Sequence, residues 1–164
     1  GQEGLAKHEM HTEQVLVSRE LLHKLLDYRN KTIAVGTTSV RTLESIYWYG
    51  VKLESDPDAA FHVQQFDPYQ NENENLPAEK AIQNILAFMD RNHLETLYGS
   101  TQLMIVPGYR FRMIQGMITN FHQPRSTLLL LISAWLGEEW KTVYNYALQD
   151  DFRFLSYGDS CLFL

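Results

Sequence analysis

The chain has 164 residues, 45% of them hydrophobic and 21% charged, with a formal charge of −6 at pH 7. Those numbers fit one globular domain with a real core, and the acidic balance speaks against a protein that grips nucleic acid over its whole surface, leaving only a local basic patch open. The single cysteine, Cys161, excludes an internal disulfide and a thiolate zinc cluster and predicts a reducing, cytoplasmic setting; the longest apolar run, 128–136, is broken by Ser133 and is shorter than the roughly 20 residues of a membrane helix, and no signal peptide is read at the amino end.

In chain order, Ser18 followed by Leu21, Leu22, Leu25 and Leu26 predicts a capped helix to Tyr28, with Asn30 as its stop. The β-branched run from Thr32 to Val35 predicts a strand closed by Gly36. Val40, Leu43, Ile46 and Tyr47 then predict a helix over 39–49 that Gly50 ends. Residues 51–75, with Asp56-Pro57-Asp58 and the alternating Asn and Glu of 71–75, read as a surface excursion holding a short edge strand within 61–66. Pro77 suits the first turn of a helix whose buried stripe is Ala81, Ile82, Ile85, Leu86 and Met89. Strands are predicted over 103–106 and 116–121. A helix capped by Ser126 follows, then a break at Gly137, a helix over 138–148, and two short strands within 152–164 around a Gly158-Asp159 turn. Alternating helices and strands predict an α/β fold of one domain over 1–164, with a mostly parallel or mixed sheet flanked by helices.

Five clusters can carry chemistry. Thr119-Asn120-Phe121-His122-Gln123-Pro124-Arg125-Ser126-Thr127 reads as a strand-to-helix junction in which Asn120, His122, Arg125 and Ser126 surround unpaired helix N–H donors; a capped core helix with incidental polar neighbours is an equal alternative. Gly36-Thr37-Thr38-Ser39-Val40-Arg41 offers amides, hydroxyls and a guanidinium to a carboxylate or phosphate, or else only Ser39 capping a helix. It has neither the lysine of a P-loop nor a dinucleotide glycine series. His8-Glu9-Met10-His11-Thr12-Glu13 invites a metal, but a His spacing of three rather than four does not put two imidazoles on one helical face. No metal is therefore expected, and His11 with Glu13 serves as an acid, base or hydroxyl ligand or as a solvated strand end. Asp159 is either a turn residue or a carboxylate aimed into a cleft. Arg110 and Arg112, with Tyr109 and Phe111 between them, are either a phosphate-and-stacking patch for RNA or an edge strand with outward arginines.

Together these blocks, with Thr42-Leu43-Glu44-Ser45, Pro107-Gly108-Tyr109-Arg110-Phe111 and Arg153-Phe154-Leu155-Ser156-Tyr157-Gly158-Asp159, resemble the QueA family, the S-adenosylmethionine:tRNA ribosyltransferase-isomerases of queuosine biosynthesis. Gln123 stands where that family usually has leucine, and Gln115 where an acidic residue is expected. The resemblance implies transfer of the ribosyl group of S-adenosylmethionine, as substrate rather than cofactor, to 7-aminomethyl-7-deazaguanine at the tRNA wobble position, with isomerisation to the epoxycyclopentanediol. It also implies that the chain is the carboxyl-terminal part of the main domain of a two-domain protein, whose β-barrel domain and further main-domain sequence lie ahead of it. The partners would then be S-adenosylmethionine, the tRNA anticodon region and that missing part of the chain, with no membrane.

Within that reading, proton abstraction beside the sulfonium needs a base, for which His122 and His11 are candidates. Asn120 is a candidate for adenine or ribose. Thr37, Thr38 and Ser39 with Arg41 are candidates for the methionine carboxylate or a phosphate, and Glu13 and Asp159 for ribose hydroxyls or the field around sulfur. Arg125, Ser126, Thr127 and Tyr157 complete the expected substrate contacts. An S-adenosylmethionine enzyme with a non-tRNA acceptor and an inactive binding module of the same fold remain the two rivals.

Overall fold

A computed structural model describes residues 10–70, 75–123 and 126–164 of the chain. Its elements run β1 (Glu13–Ser18), α1 (Arg19–Asp27), β2 (Ile33–Val35), α2 (Thr37–Ser55), β3 (His62–Val63), α3 (Asp67–Gln70), α4 (Ala78–Arg91), β4 (Thr96–Thr101), β5 (Gly116–Asn120), α5 (Thr127–Leu136), a 3-10 turn (Gly137–Glu139), α6 (Trp140–Gln149) and β6 (Ser160–Phe163). The strands form two small mixed sheets, ordered β1-β4-β3 and β2-β5-β6. In the first, β1 runs antiparallel and β3 parallel to β4; in the second, β2 runs parallel and β6 antiparallel to β5. A mixed α/β architecture is what the alternating pattern called for.

Helix α2 is the spine. It packs along α4 and meets strands of both sheets, and Val40, Ile46, Tyr47, Trp48, Tyr49 and Leu53 are all buried on it. Residues 44–50 are buried on every side of the helix, which places that stretch in the core. Gly50 does not end it, as expected from the sequence, because a helical glycine with a packing reason is no breaker. A Cβ there would lie 2.3 Å from the carbonyl oxygen of Ala81, so Gly50 is the notch through which α4 approaches.

Within the stretch read from composition as a surface excursion, Asp56, Pro57 and Asp58 are exposed, but residues 59–63 pack into the fold. The Tyr49 ring stacks on Phe61 at 4.5 Å, the Tyr49 hydroxyl donates to Ala59 O, and Lys52 Nζ donates to His62 O at 2.6 Å. Ala59, Phe61 and Val63 are buried. The edge strand expected there is β3.

The strand expected over 103–106 lies earlier, as β4. Gly99 and Ser100 mask it in the sequence, yet Gly99 is required there because the Phe61 ring occupies the space a Cβ would fill. Beyond Thr101 the chain keeps donating to the β3 side, Gln102 N–H to Val63 O and Met104 N–H to Gln65 O. It has lost β1, whose first residue, Glu13, pairs with Thr101. Of the two strands expected within 152–164 only β6 forms, for reasons that belong to the site.

Glu44 is fully buried on α2 and anchors the segment between β4 and β5. Its carboxylate accepts from the Tyr109 hydroxyl at 2.8 Å, Met113 N–H at 2.9 Å and Arg112 N–H at 3.1 Å. Burial pushes its carboxyl above the ordinary value, against the pull of those donors. The Arg112 guanidinium lies over the rings of Tyr47 and Trp48 at 4.9 and 4.7 Å. Neither Arg110 nor Arg112 sits on a strand; Arg110 donates to Asn75 Oδ1 and Arg112 to the Arg110 carbonyl.

Filling the notch tests the packing. Gly50→Ala pushes α2 and α4 apart and lowers the unfolding free energy by about 1–3 kcal/mol, the usual cost of overpacking. A urea midpoint matching that of the unsubstituted chain would contradict the close approach.

Candidate functional site

Strands β2 and β5 are parallel, with Val35 opposite Ile118, so both end on the same side of their sheet. Open α/β sheets bind ligands outside the carboxyl ends of such strands. Here a cleft of about 330 Å³ opens at that edge. Three segments line it: Gly36, Thr37 and Thr38 from the start of α2; Thr119, Asn120, His122 and Leu128 from the end of β5 and the junction to α5; and Leu155 and Ser156 from the loop before β6.

The first wall follows from one glycine. Gly36 donates its N–H to Ile118 O at 2.8 Å and then turns at φ 88°, a left-handed value that favours glycine. Helix α2 therefore starts at Thr37, two residues ahead of the expected Ser39 cap, and Gly36 at its N-cap supplies no side-chain acceptor. The first-turn amides keep their hydrogen-bonding capacity, no acidic side chain stands in that turn, and the helix dipole adds about half a positive charge there.

The second wall carries the titratable group. His122 is half-buried, its backbone N–H donates to the Tyr144 hydroxyl at 3.1 Å, and its Nε2 is buried with no hydrogen-bond partner among the described residues. Burial holds its imidazole below the ordinary value, favouring the neutral ring. Asn120 reaches Gly158 O, Asp159 O and Ser160 Oγ only at 3.4–3.5 Å, long contacts that leave its amide open to a better partner. Ser126 caps α5 as expected, accepting from Leu129 N–H and donating to Gln123 O at 2.9 Å. Ser126 and Thr127 stay half-buried beside the cleft rather than lining it, and Arg125 lies outside the described residues.

The third wall is a stapled loop, which takes the place of the extra strand expected near 152. Asp159 accepts from Arg153 N–H at 2.7 Å and from the Arg153 guanidinium at 3.2 Å, and it returns its own N–H to Arg153 O. These bonds hold its carboxyl below the ordinary value, the backbone donor contributing most. Leu155 N–H donates to Phe121 O at 2.9 Å, which ties the loop to the histidine junction. Phe121 meets Tyr144, Phe152 and Phe154 with ring centroids 5.3–5.5 Å apart, a cluster that fixes loop, junction and α6 together.

The structure thus brings together Thr37, Thr38, Asn120 and His122, and leaves the other predicted residues elsewhere. Ser39 lies one residue further into α2. Arg41 is buried and paired with Glu13 of β1, with Met10 Sδ beside it. His11 is exposed ahead of β1, and His8 and Glu9 lie outside the described residues. Asp159 serves its own loop, and Tyr157 is fully exposed. Arg112 belongs to the Glu44 cluster, and Arg110 is exposed with its guanidinium donating to Asn75 Oδ1. No charged side chain lines the cleft among the described residues, and these hold no group of three metal-ligating residues. Sequence reading missed Thr119, Leu155 and Ser156, which carry no chemical signature, and Tyr144, which looks like any core aromatic of a helix.

A family model described as "Queuosine biosynthesis protein" matches residues 1–163. The S-adenosylmethionine:tRNA ribosyltransferase-isomerase of Halothermothrix orenii is 32% identical over 99% of this chain, and that of Cupriavidus pinatubonensis 35% identical over 98%. The crystal structure of S-adenosylmethionine tRNA ribosyltransferase from Thermotoga maritima superposes with a TM-score of 0.61 at 30% identity, over 92% of this chain and 40% of that one. The chain spans 37% and 35% of the length of the two relatives.

The environment of His122 gives a measurable consequence. Its imidazole should titrate below the ordinary value of about 6.5, read from its ring signals by NMR. Because the folded form resists protonation, stability contributed by the neutral ring is present above the unfolded value and is lost as pH falls from there through the folded value. A ring titrating at or above the ordinary value would contradict the burial.

Proposed function

Since the chain belongs to the queuosine biosynthesis protein family, we propose that it carries the cleft in which the ribosyl group of S-adenosylmethionine passes to 7-aminomethyl-7-deazaguanine in the wobble position of a tRNA, giving epoxyqueuosine with release of adenine and methionine. The observation that carries this reading is His122 in the lining of a cleft walled by a free helix N-terminus, with its Nε2 buried and without a partner among the described residues.

Each feature suits one demand of the reaction. A carbon beside a sulfonium is acidified by the positive sulfur, and His122 Nε2, without a partner among the described residues and favoured neutral by burial, takes its proton. The electron pair left on that carbon forms a double bond to the adjacent sugar carbon as that carbon's bond to the ring oxygen breaks; the oxygen becomes a carbonyl as the bond to adenine breaks, and adenine takes up a proton. The amine of the deazaguanine adds to the double bond and gives up a proton, the carbon beside sulfur closes on the carbonyl carbon, and the oxyanion so formed makes the epoxide by displacing methionine, which leaves with the electrons of its carbon–sulfur bond. The amides of Thr37 and Thr38, with their hydroxyls, receive the methionine carboxylate at the positive end of α2. Asn120, loosely held, turns its amide to adenine or the ribose hydroxyls, and Thr119 adds a hydroxyl at the same strand end.

Arg41 and Glu13 act at one remove in this scheme. Their pairing ties the second turn of α2 to β1, so that the amides above it keep their direction. The tRNA, its anticodon region as the acceptor and a cytoplasmic setting belong to the same proposal. Among the described residues no helix is long and apolar enough to cross a membrane.

Adenine release, followed chromatographically with and without precursor tRNA, tests the reading. Release should require the tRNA, and His122→Ala should lower it by about 10²–10⁴-fold, the range for a lost acid or base. A His122→Ala chain of undiminished rate would remove the histidine from the chemistry; release indifferent to tRNA would point to another acceptor.

A further inference from the structure

Tyr157 is 98% exposed and has no ring or hydrogen-bond partner among the described residues, yet the loop that carries it is held tightly. Arg153 and Asp159 close the loop through three hydrogen bonds, Gly158 N–H donates to Leu155 O at 2.8 Å, and a Cβ on Gly158 would lie 2.4 Å from Arg153 O. Leu155 is held at φ 70°, a left-handed conformation unusual for a leucine, which the surrounding bonds must over-determine. The same loop buries the ring of Phe154 against Phe121 and Tyr144. One aromatic ring fastens the loop from below while the other is presented outward from a fixed backbone.

Its neighbours on the amino side, Leu155 and Ser156, line the cleft, so Tyr157 stands at the rim. The cleft, about 330 Å³, is at the small end of ligand pockets. A strand of RNA does not fit inside a cleft of this size, so the nucleotides flanking a base that engages it must lie outside. The cation nearest in sequence, Arg153, is already paired with Asp159. Among the described residues, a flat ring rather than a charge is what this edge offers.

We infer that Tyr157 is a stacking platform for an unpaired nucleobase of the RNA beside the one engaged in the cleft. Proteins that hold single-stranded nucleic acid use aromatic faces in this way, because every base has a π-face and stacking needs no sequence code. The inference deepens the tRNA reading and rests on it. On an acidic chain, stacking also supplies affinity without the phosphate contacts that the surface charge disfavours.

The test titrates a fluorescently labelled RNA stem–loop with an unpaired purine-containing loop against the unsubstituted chain and three variants, with S-adenosylmethionine affinity measured alongside. Tyr157→Ala should weaken RNA binding roughly tenfold, whereas Tyr157→Phe and Tyr157→Trp should keep it, with melting temperature, salt dependence and S-adenosylmethionine affinity unchanged in all. If Tyr157→Ala binds the stem–loop as well as the unsubstituted chain does, the platform is refuted while the tRNA reading stands. Equal losses for Tyr157→Phe and Tyr157→Ala would also overturn it, since a hydroxyl contact and not the ring face would then be responsible. Should the unsubstituted chain bind S-adenosylmethionine but no RNA, the tRNA reading itself fails and the platform falls with it.

Discussion

The structure depends on one constraint: α2 must run buried through the molecule and yet begin at the end of β2. Its apolar circumference, with Ile46, Tyr47, Trp48 and Tyr49 in succession, leaves it no solvent face along that stretch. A helix so placed cannot be reoriented without unpacking α4 and both sheets. Its N-terminus is therefore aimed with the rigidity of the core, and the amides of Thr37 and Thr38 inherit that rigidity. Gly36 makes the join possible, since the chain must donate to Ile118 of β5 and reverse within one residue. A non-glycine residue forced into that conformation would be strained, and the strain would fall at the wall of the cleft.

Among the described residues, buried charge is distributed so that none faces the cleft. Arg41 and Glu13 neutralise one another between α2 and β1, and Glu44 collects three donors from residues 109–113. A buried carboxylate is expensive to desolvate, and such a group is tolerated when its lone pairs are filled. Glu44 meets that condition from the Tyr109 hydroxyl and two backbone amides, with the Arg112 cation close by over Trp48. These clusters organise the far side of α2. They explain why Arg112, which looks like part of a nucleic-acid patch in sequence, is occupied within the fold over aromatic rings, whereas Arg110 is exposed and reaches Asn75.

What was legible in the sequence follows from how local the cause was. Ser18 and Ser126 announce their helices because a cap is a short-range bond, and the structure has both. The strand ending at Gly36 and the one ending at Asn120 were readable from β-branched composition. Gly50 and Gly99 misled for the opposite reason. Each is a glycine because a sequence-distant group, the backbone of Ala81 or the ring of Phe61, occupies the place of its side chain. Asp159 illustrates the same limit at the site, as both of its oxygens are claimed by Arg153 six residues away. Gln115 stands where an acidic residue was expected, and its side-chain oxygen accepts from Thr32 N–H at 2.8 Å, a task that needs an acceptor and not a charge. The Gly36 turn, the His122 junction and the Gly158-Asp159 turn were each visible as motifs, whereas their relation in space is a tertiary fact. That the third contributes Leu155 and Ser156 while turning Tyr157 outward depends on a staple no periodicity reveals.

For the proposed reaction, the neutrality of His122 is as necessary as its position. A base that must take a proton beside a sulfonium sits next to a fixed positive charge, and an imidazolium there would add repulsion to its lack of a free lone pair. A carboxylate would attract the sulfur, but it would also compete with the substrate's own carboxylate for the amides of α2. An uncharged imidazole avoids both conflicts, and the protein secures it by burial rather than by a charged neighbour. The packing that buries the ring also sets its position: Tyr144 takes the backbone N–H of His122, and the Phe121 cluster closes beneath it. Loosening that cluster admits water to Nε2, raises the imidazole toward its ordinary value and shifts the junction, so basicity and placement would fail together. In this fold the pKa of the proposed base is a packing property, which is why residues as plain as Phe121 and Phe154 belong to the account of its chemistry.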